Sequence, residues 1–265
     1  MKDLLETHGF AAISEQIISL SQPCIRMRFE SKAEDDFAIG ESRFGGRPDL
    51  LSDKNWPSAY GSPQAFMGQV RIADLLHLMP DITAASDGLL SFFLDLEEGE
   101  YGDFLFTPAN QLSELKRIDC ECDVDGLELE ILRPIFEASL SLPPNSSSDS
   151  EKDGADLQGI QLTKAQNRAY TYRVLPQSFL PNHGCESYDT VLSKHQFFGW
   201  PLQIQDNISA KLDGNPEDWT LLFQLDSCDQ MGFQINDCGS AYFLIRKTDL
   251  AAGDFSRIET VVHFY

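Results

Sequence analysis

The sequence predicts an α+β protein that is mainly β. It reads as two similar β-rich units from an internal duplication, packed about a pseudo-twofold axis, with an N-terminal helix. Three observations predict this. Short apolar runs bounded by Gly, Pro, Asn and Asp recur along the chain without alternating regularly with helices. One early run has helical spacing. Four blocks of the first half return in the same order in the second.

The elements follow in order. Leu5, Ala12, Ile13, Ile17 and Leu20 recur at roughly helical spacing, with Asp3 and Glu6 in the first turn, so the N-terminal segment is predicted helical as far as the Ser21-Gln22-Pro23 stop. "CIRMRF" (24–29) alternates apolar and basic residues as a half-buried strand does. "AFMGQVRI" (65–72) is predicted as a strand and "ADLLHLMP" (73–80) as a short helix closed by Pro80. "GLLSFFLDLEEGE" (88–100) reads as a strand running into an acidic turn, and "DFLFTP" (103–108) as another strand. The alternation in 117–135 predicts a hairpin turning at Asp125-Gly126, where both positions tolerate positive φ. Residues 143–156 have almost no large apolar side chains, which predicts a mobile loop or linker. "AYTYRVLP" (169–176) is predicted as a strand and "ESYDTVLSKHQF" (186–197) as a short helix. "DWTLLFQLDS" (218–227), "SAYFLIRK" (240–247) and "IETVVHFY" (258–265) read as strands. "TDLAAGDF" (248–255) reads as a helix with Thr248 as its N-cap.

The duplication rests on four matches. "FGGRPDL" (44–50) echoes "FFGWPLQ" (197–203), with Phe44, Gly46 and Pro48 over Phe197, Gly199 and Pro201. "GSP" (61–63) meets "GNP" (214–216), and "FMGQVRI" (66–72) meets "LLFQLDS" (221–227), pairing Gln69 with Gln224. "GLLSFFLDL" (88–96) meets "GSAYFLIRK" (239–247), pairing Phe92 with Phe243. The implied organisation is 1–142 for the helix and first unit, 143–159 for a flexible acidic Ser-rich loop and 160–265 for the second unit, or one compact domain overall.

Charge narrows the partners. The 265 residues carry 42 acids against 20 bases, a net charge of -22, and 26 of those acids fall in residues 1–140 against 11 bases. Such a field repels phosphate backbones, so nucleic acid is excluded as a partner, and it attracts a basic protein. No apolar run is long enough to span a membrane. "MKDLLETHGF" has acids near its start and no small-residue cleavage site, so it does not read as a signal peptide. Cysteines at 24, 120, 122, 185, 228 and 238 include no C-x-x-C pair and are expected to be thiols in a cytoplasmic protein.

The motifs "FGGRPDL…WPS…FMGQVRI", "LSFFLDL", "SKHQFFGWP", "WTLLFQLDS" and "GSAYFLIRKTDL…DF" resemble the YwqG-like family of bacterial proteins, domain of unknown function 1963. The resemblance runs from about Ile39 to the C-terminus, apart from the Ser-rich loop. It implies a cytoplasmic, β-rich, duplicated protein. It implies no reaction, because the family has no assigned activity.

The candidate chemistry is sparse. "FGGRP" (44–48) matches no nucleotide fingerprint and no helix start follows it, so it is not read as a phosphate loop. "ECDVDGLELEIL" (121–132) begins like a calcium loop but has Leu132 where the closing bidentate Glu belongs. There is no G-x-S-x-G elbow, and His183-Gly-Cys185 is too local to make a nucleophile pair. No catalytic residue, metal site or cofactor is assigned. The candidate cleft residues are Gln69, Gln224, Asp226, Asp237, Trp56 and Trp200. A Gln inside an apolar strand must find partners, either the backbone of a neighbouring loop or a ligand. Asp226 and Asp237 flank consecutive strands and could share one sheet end, as turn and cap acceptors or as a small polar site. Trp56, Trp200 and Trp219 are expected to pack the units together. The expected function is therefore a non-enzymatic, acidic protein-binding module of which an immunity-type protein is one form. The alternative is an enzyme or small-ligand protein with a cleft between the halves.

Overall fold

The computed structural model describes residues 1–96, 101–119, 129–145, 155–178, 194–205, 208 and 212–264. Its main element is an antiparallel sheet. Gln22–Ser31 forms β1. Arg43–Phe44, Ala65–Arg71, Gly88–Leu94 and Gly102–Pro108 follow as β2 to β5. Leu132–Ser141 is β6. Gln196–Phe197, Trp219–Asp226, Ser240–Arg246 and Ile258–His263 are β7 to β10. The order across the sheet is β10-β9-β8-β7-β1-β6-β2-β3-β4-β5. Thus β1 and β6 lie at the centre, paired from Gln22 opposite Ser141 to Ser31 opposite Leu132. β1 is also bonded to the short strand β7, Ile25 opposite Phe197, and β6 to the short strand β2, Leu132 opposite Phe44.

The strand period explains the inside. Ile25, Met27 and Phe29 enter the core, whereas the Arg28 side chain between them is half exposed. Phe92 on β4 touches Phe223 on β8 and Phe243 on β9, with ring centroids 4.6 and 5.0 Å away. Phe197 and Phe223 stack at 4.4 Å. Strands from opposite flanks meet through these rings only because the sheet curls on itself. Its two edges approach: Thr260 Oγ1 donates to the Gly102 carbonyl at 2.9 Å, and the Phe106 and Phe255 rings lie 4.9 Å apart. The sheet is therefore nearly closed around an aromatic interior.

Smaller apolar clusters cover the outside. Leu50, Phe66 and Phe93 pack with Trp56 on one flank, and Trp219, Leu221, Tyr242, Leu244 and Val261 pack on the other. A helical layer is built by α1 (Lys2–Thr7), α2 (Ser14–Ser19) and the segment from 155 to 178. Leu4, Leu5, Phe10 and Ile17 bury against Leu142, Leu157, Leu162, Tyr170 and Val174 there. No described helix is long and apolar enough to cross a membrane.

Several expectations on elements change. The N-terminal helix is two short helices, because the chain turns at Gly9, which has positive φ, and the helix expected over 73–80 is α3 (Ile72–Leu76). "AYTYRVLP" is helical, not extended. Thr163 caps α4 (Lys164–Ala169) through a reciprocal bond with Gln166, and the helix runs on through a π turn at Tyr170–Val174 into α5 (Leu175–Gln177). Tyr170 and Val174, four apart, face Leu4, Leu5 and Phe10, so packing overrides the β preference of Tyr, Thr and Val. The expected hairpin at 117–135 has its turn outside the described residues, and its described ends part. Lys116–Arg117 pairs with Asp49–Leu50, while Leu132–Ser141 pairs with β1. Thr248 is not the N-cap: Arg246 precedes α6 (Lys247–Ala252), and Thr248 lies inside it. Within the expected linker, Ala155–Leu157 is a strand paired with Ile160–Leu162, and 146–154 lie outside the described residues. Of the helix expected over 186–197, residues 186–193 also lie outside them, and Gln196–Phe197 is a strand.

Candidate functional site

The Gly-Pro segments shape the surroundings of both glutamines. After β2, Gly45 and Gly46 have φ of 69° and 68°; after the start of β7, Phe198 and Gly199 have 60° and 69°. Two successive left-handed residues reverse the chain over the outer face of the sheet. The Gly45 N–H donates to Met67 O at 3.0 Å, and the Phe198 N–H to Leu222 O at 3.1 Å. Gln69 Oε1 then accepts from Asp49 N, and Gln224 Oε1 accepts from Leu202 N, both at 2.9 Å. Arg47 N donates to Glu34 Oε1, and Trp200 N to Ser141 Oγ, both at 2.7 Å. Both glutamines are fully buried. They hold the loops down, as a buried amide must when it replaces its water with protein partners.

The flanks differ in charge. On the first, Arg43 and Asp49 are both fully buried and joined at 2.9 and 3.2 Å. Asp49 also accepts from Arg117 Nε at 3.1 Å, Gly40 N at 2.8 Å and Gln69 Nε2 at 2.7 Å. Burial alone would raise the Asp49 carboxyl, but the Arg43 pair and these donors outweigh it and hold the group below its usual range. On the second flank, Gln196 and Leu202 stand at the places of Arg43 and Asp49. Gln224 Nε2 has no hydrogen-bond partner among the described residues there.

Asp226 is buried at the end of β8. It accepts from the Ser240 hydroxyl and from Lys194 N, the latter at 3.2 Å. Burial pushes its carboxyl up, against the opposing pull of Lys194 and Ser240. Its own N–H donates to His195 Nδ1 at 3.1 Å, which places the ring proton on Nε2. His195 is buried against Phe29 at 5.0 Å, and Nε2 has no partner among the described residues. Burial pushes the imidazole down to about 3 from 6.5. The unfolded chain therefore binds the extra proton between those values, and stability falls as pH drops through the window. His195→Asn retains an acceptor for the Asp226 N–H and cannot titrate. Urea midpoints measured from about pH 7 to about pH 4 should fall less steeply in that variant. Equal slopes would remove His195 from the acid response.

The remaining residues lie apart. Asp237 is exposed in the β8–β9 loop. Trp56 donates to Gln64 O at 2.9 Å and packs on Phe93 within the first flank. Trp200 donates to Leu20 O at 2.8 Å, tying its loop to the segment before β1. Trp219 packs on the second flank under Arg246. Trp56 and Trp219 therefore pack within their own flanks and do not join the two. The sheet order separates Gln69 on β3 from Gln224 and Asp226 on β8 by four strands. A shallow groove of about 450 Å³ lies elsewhere, lined by Ser31, Lys32, Ala33, Leu129, Glu130 and Ile131. Among the described residues no three His, Cys, Asp or Glu side chains are grouped as metal ligands.

Sequence reasoning missed Arg43, Asp49, Arg117 and His195. Arg117 lies 68 positions from Asp49, and no local pattern announces such a pair. His195 had a faint signal, because it stands just before the buried strand at Gln196–Phe197.

A family model described as "Domain of unknown function (DUF1963)" matches residues 42–262. That span takes in both Gly-Pro segments and nine of the ten sheet strands nearly or wholly. No curated protein matches the chain.

Proposed function

Because the chain belongs to the DUF1963 family, whose description assigns no activity, we propose a function from its own surface chemistry: a non-enzymatic acidic module that docks a basic protein. The net charge of -22 carries this reading. Asp35, Asp36, Asp53, Asp119, Glu130 and Glu137 lie exposed in the N-terminal half. Such a field raises encounter rates with a cationic partner and disfavours anionic ones. The polar groups within the sheet support the reading from the other side, since Gln69, Asp49, Gln224 and Asp226 hold loops and strand ends. An immunity-type protein that neutralises a basic toxin is the form the charge fits best. The same reading places the protein in the cytoplasm, where Cys24, Cys228 and Cys238 remain thiols.

The two flanks, in the same reading, are copies of one unit related by a pseudo-twofold axis between β1 and β6. Support comes from the sheet order, which runs short strand, then three long strands, outward on both sides. The matched bonds at Gly45 and Phe198, Gln69 and Gln224, and Arg47 and Trp200 add to it. In this reading the copies share one sheet, supported by the pairing of β1 in the first unit with β7 in the second.

The test is salt-dependent binding. The purified chain, immobilised, should retain small basic proteins at about 50 mM salt and release them near 0.5 M, where the screening length falls to a few ångströms. Acidic proteins of the same size should pass through. Equal retention of both, or binding indifferent to salt, overturns the reading.

A further inference from the structure

The Tyr60 turn of the first flank meets Tyr101 in an exposed aromatic pair. Ser58–Ala59 pairs with Ser62–Pro63, leaving Tyr60 and Gly61 as the two-residue turn. Both have positive φ, 50° and 89°, as a type I′ turn requires. Asn, Asp and Gly suit the first of those positions, and a Tyr there is strained. The ring is not repaid by burial, because Tyr60 is 76% exposed. It stands edge-on to Tyr101 at 5.4 Å, itself 46% exposed, just before β5.

The pair is held in place from below. Gln64 is buried, donates to Asp103 Oδ2 at 2.7 Å, and accepts from Asp103 N at 3.0 Å. This two-way clamp fixes the Tyr60 turn against β5, and the Trp56 bond to Gln64 O braces it again. Preorganised exposed rings lose little freedom when they bind. Of the described residues beside Tyr101, Asp95 and Asp103 are acids: the Asp95 N–H donates to Tyr101 O at 2.9 Å, and Asp103 is exposed.

We propose that the Tyr60–Tyr101 pair is the anchor of the docking surface and receives an arginine side chain of the basic partner. This rests on the binding reading above. A guanidinium is planar, stacks on phenol faces and leaves its charge open to surrounding carboxylates. Lysine presents a hydrated point charge and gains less from the rings. The proposal also accounts for an aromatic residue standing where the backbone disfavours one.

The probes are fluorescently labelled nona-arginine and nona-lysine peptides, equal in charge, titrated with the full chain at low salt. The wild type should bind nona-arginine about five-fold or more tighter than nona-lysine. The Tyr60→Ser/Tyr101→Ser variant should lose that preference and keep the salt-sensitive remainder. Tyr60→Asn should melt at or above the wild-type temperature while weakening nona-arginine binding, which separates lost contact from lost fold. Equal binding of both peptides by the wild type overturns the anchor and leaves the acidic docking reading intact. An unchanged preference in the double variant does the same. Failure of the wild type to bind either peptide overturns the docking reading itself.

Discussion

Asp49→Asn is expected to lower the unfolding free energy by about 3–5 kcal/mol, read as an earlier urea midpoint with an unchanged slope. The carboxylate is fully buried, faces two guanidiniums and accepts from Gly40 and Gln69 as well. An amide presents an NH2 group to these donors and leaves Arg43 charged, buried and without its counter-ion. Arg117 suffers less, because its other nitrogens donate to Glu34 O and Phe37 O near the surface. The second flank suggests the rescue. It keeps the same loop geometry with Gln196 and Leu202 at the two places and no ion pair between them. Arg43→Gln/Asp49→Leu should therefore cost less than Asp49→Leu alone, a strong non-additivity in a double-mutant cycle. If the single variant stays within about 1 kcal/mol of wild type, the network is not what fixes the loop.

The long strands were legible. "GLLSFFL" and "TLLFQLD" are short apolar runs between turn residues, and both lie within buried strands of the sheet. Gln69 and Gln224 were legible as a pair because each interrupts such a run at a matching place, and each ties down a loop. The helix at 164–177 was missed because Tyr-Thr-Tyr-Arg-Val has β preferences. Its readable signal is the capping pattern Thr163-x-x-Gln166. The Arg43–Asp49–Arg117 network was missed for a different reason. Arg117 reaches Asp49 because Lys116–Arg117 pairs with Asp49–Leu50, and a pairing between distant residues leaves no periodic trace. The Tyr60 turn is a third case. "SAYGSP" looks like an ordinary turn, and only the backbone angle together with the exposure marks Tyr60 as unusual.

Gly45→Ala is the second large effect, at about 3 kcal/mol or more of destabilisation, and larger than Gly46→Ala. The two glycines share the left-handed conformation, so the strain of adding a Cβ there, about 1–2 kcal/mol, is common to both. Their surroundings differ. A Cβ on Gly45 would overlap the Glu130 carbonyl oxygen and sit 3.0 Å from its carbon, and this is backbone at the approach to β6 that cannot step aside. A Cβ on Gly46 meets the Glu34 carboxylate at 2.6 Å, the far end of a side chain that can swing away at the expense of its bond to Arg47 N. Phe198 provides the internal comparison, because it holds the same conformation with a Cβ in place, at φ 60°. The left-handed turn therefore tolerates a side chain where the neighbouring backbone leaves room, and Gly45 is required by the close approach of Glu130. Urea titrations of the two alanine variants decide the matter: a Gly46→Ala loss equal to or greater than that of Gly45→Ala would make conformation the cause and contact irrelevant. A shifted Gly45 also moves the Asp49 N–H away from Gln69, so its variant should lose much of its sensitivity to Asp49→Asn, because both changes act on the same loop.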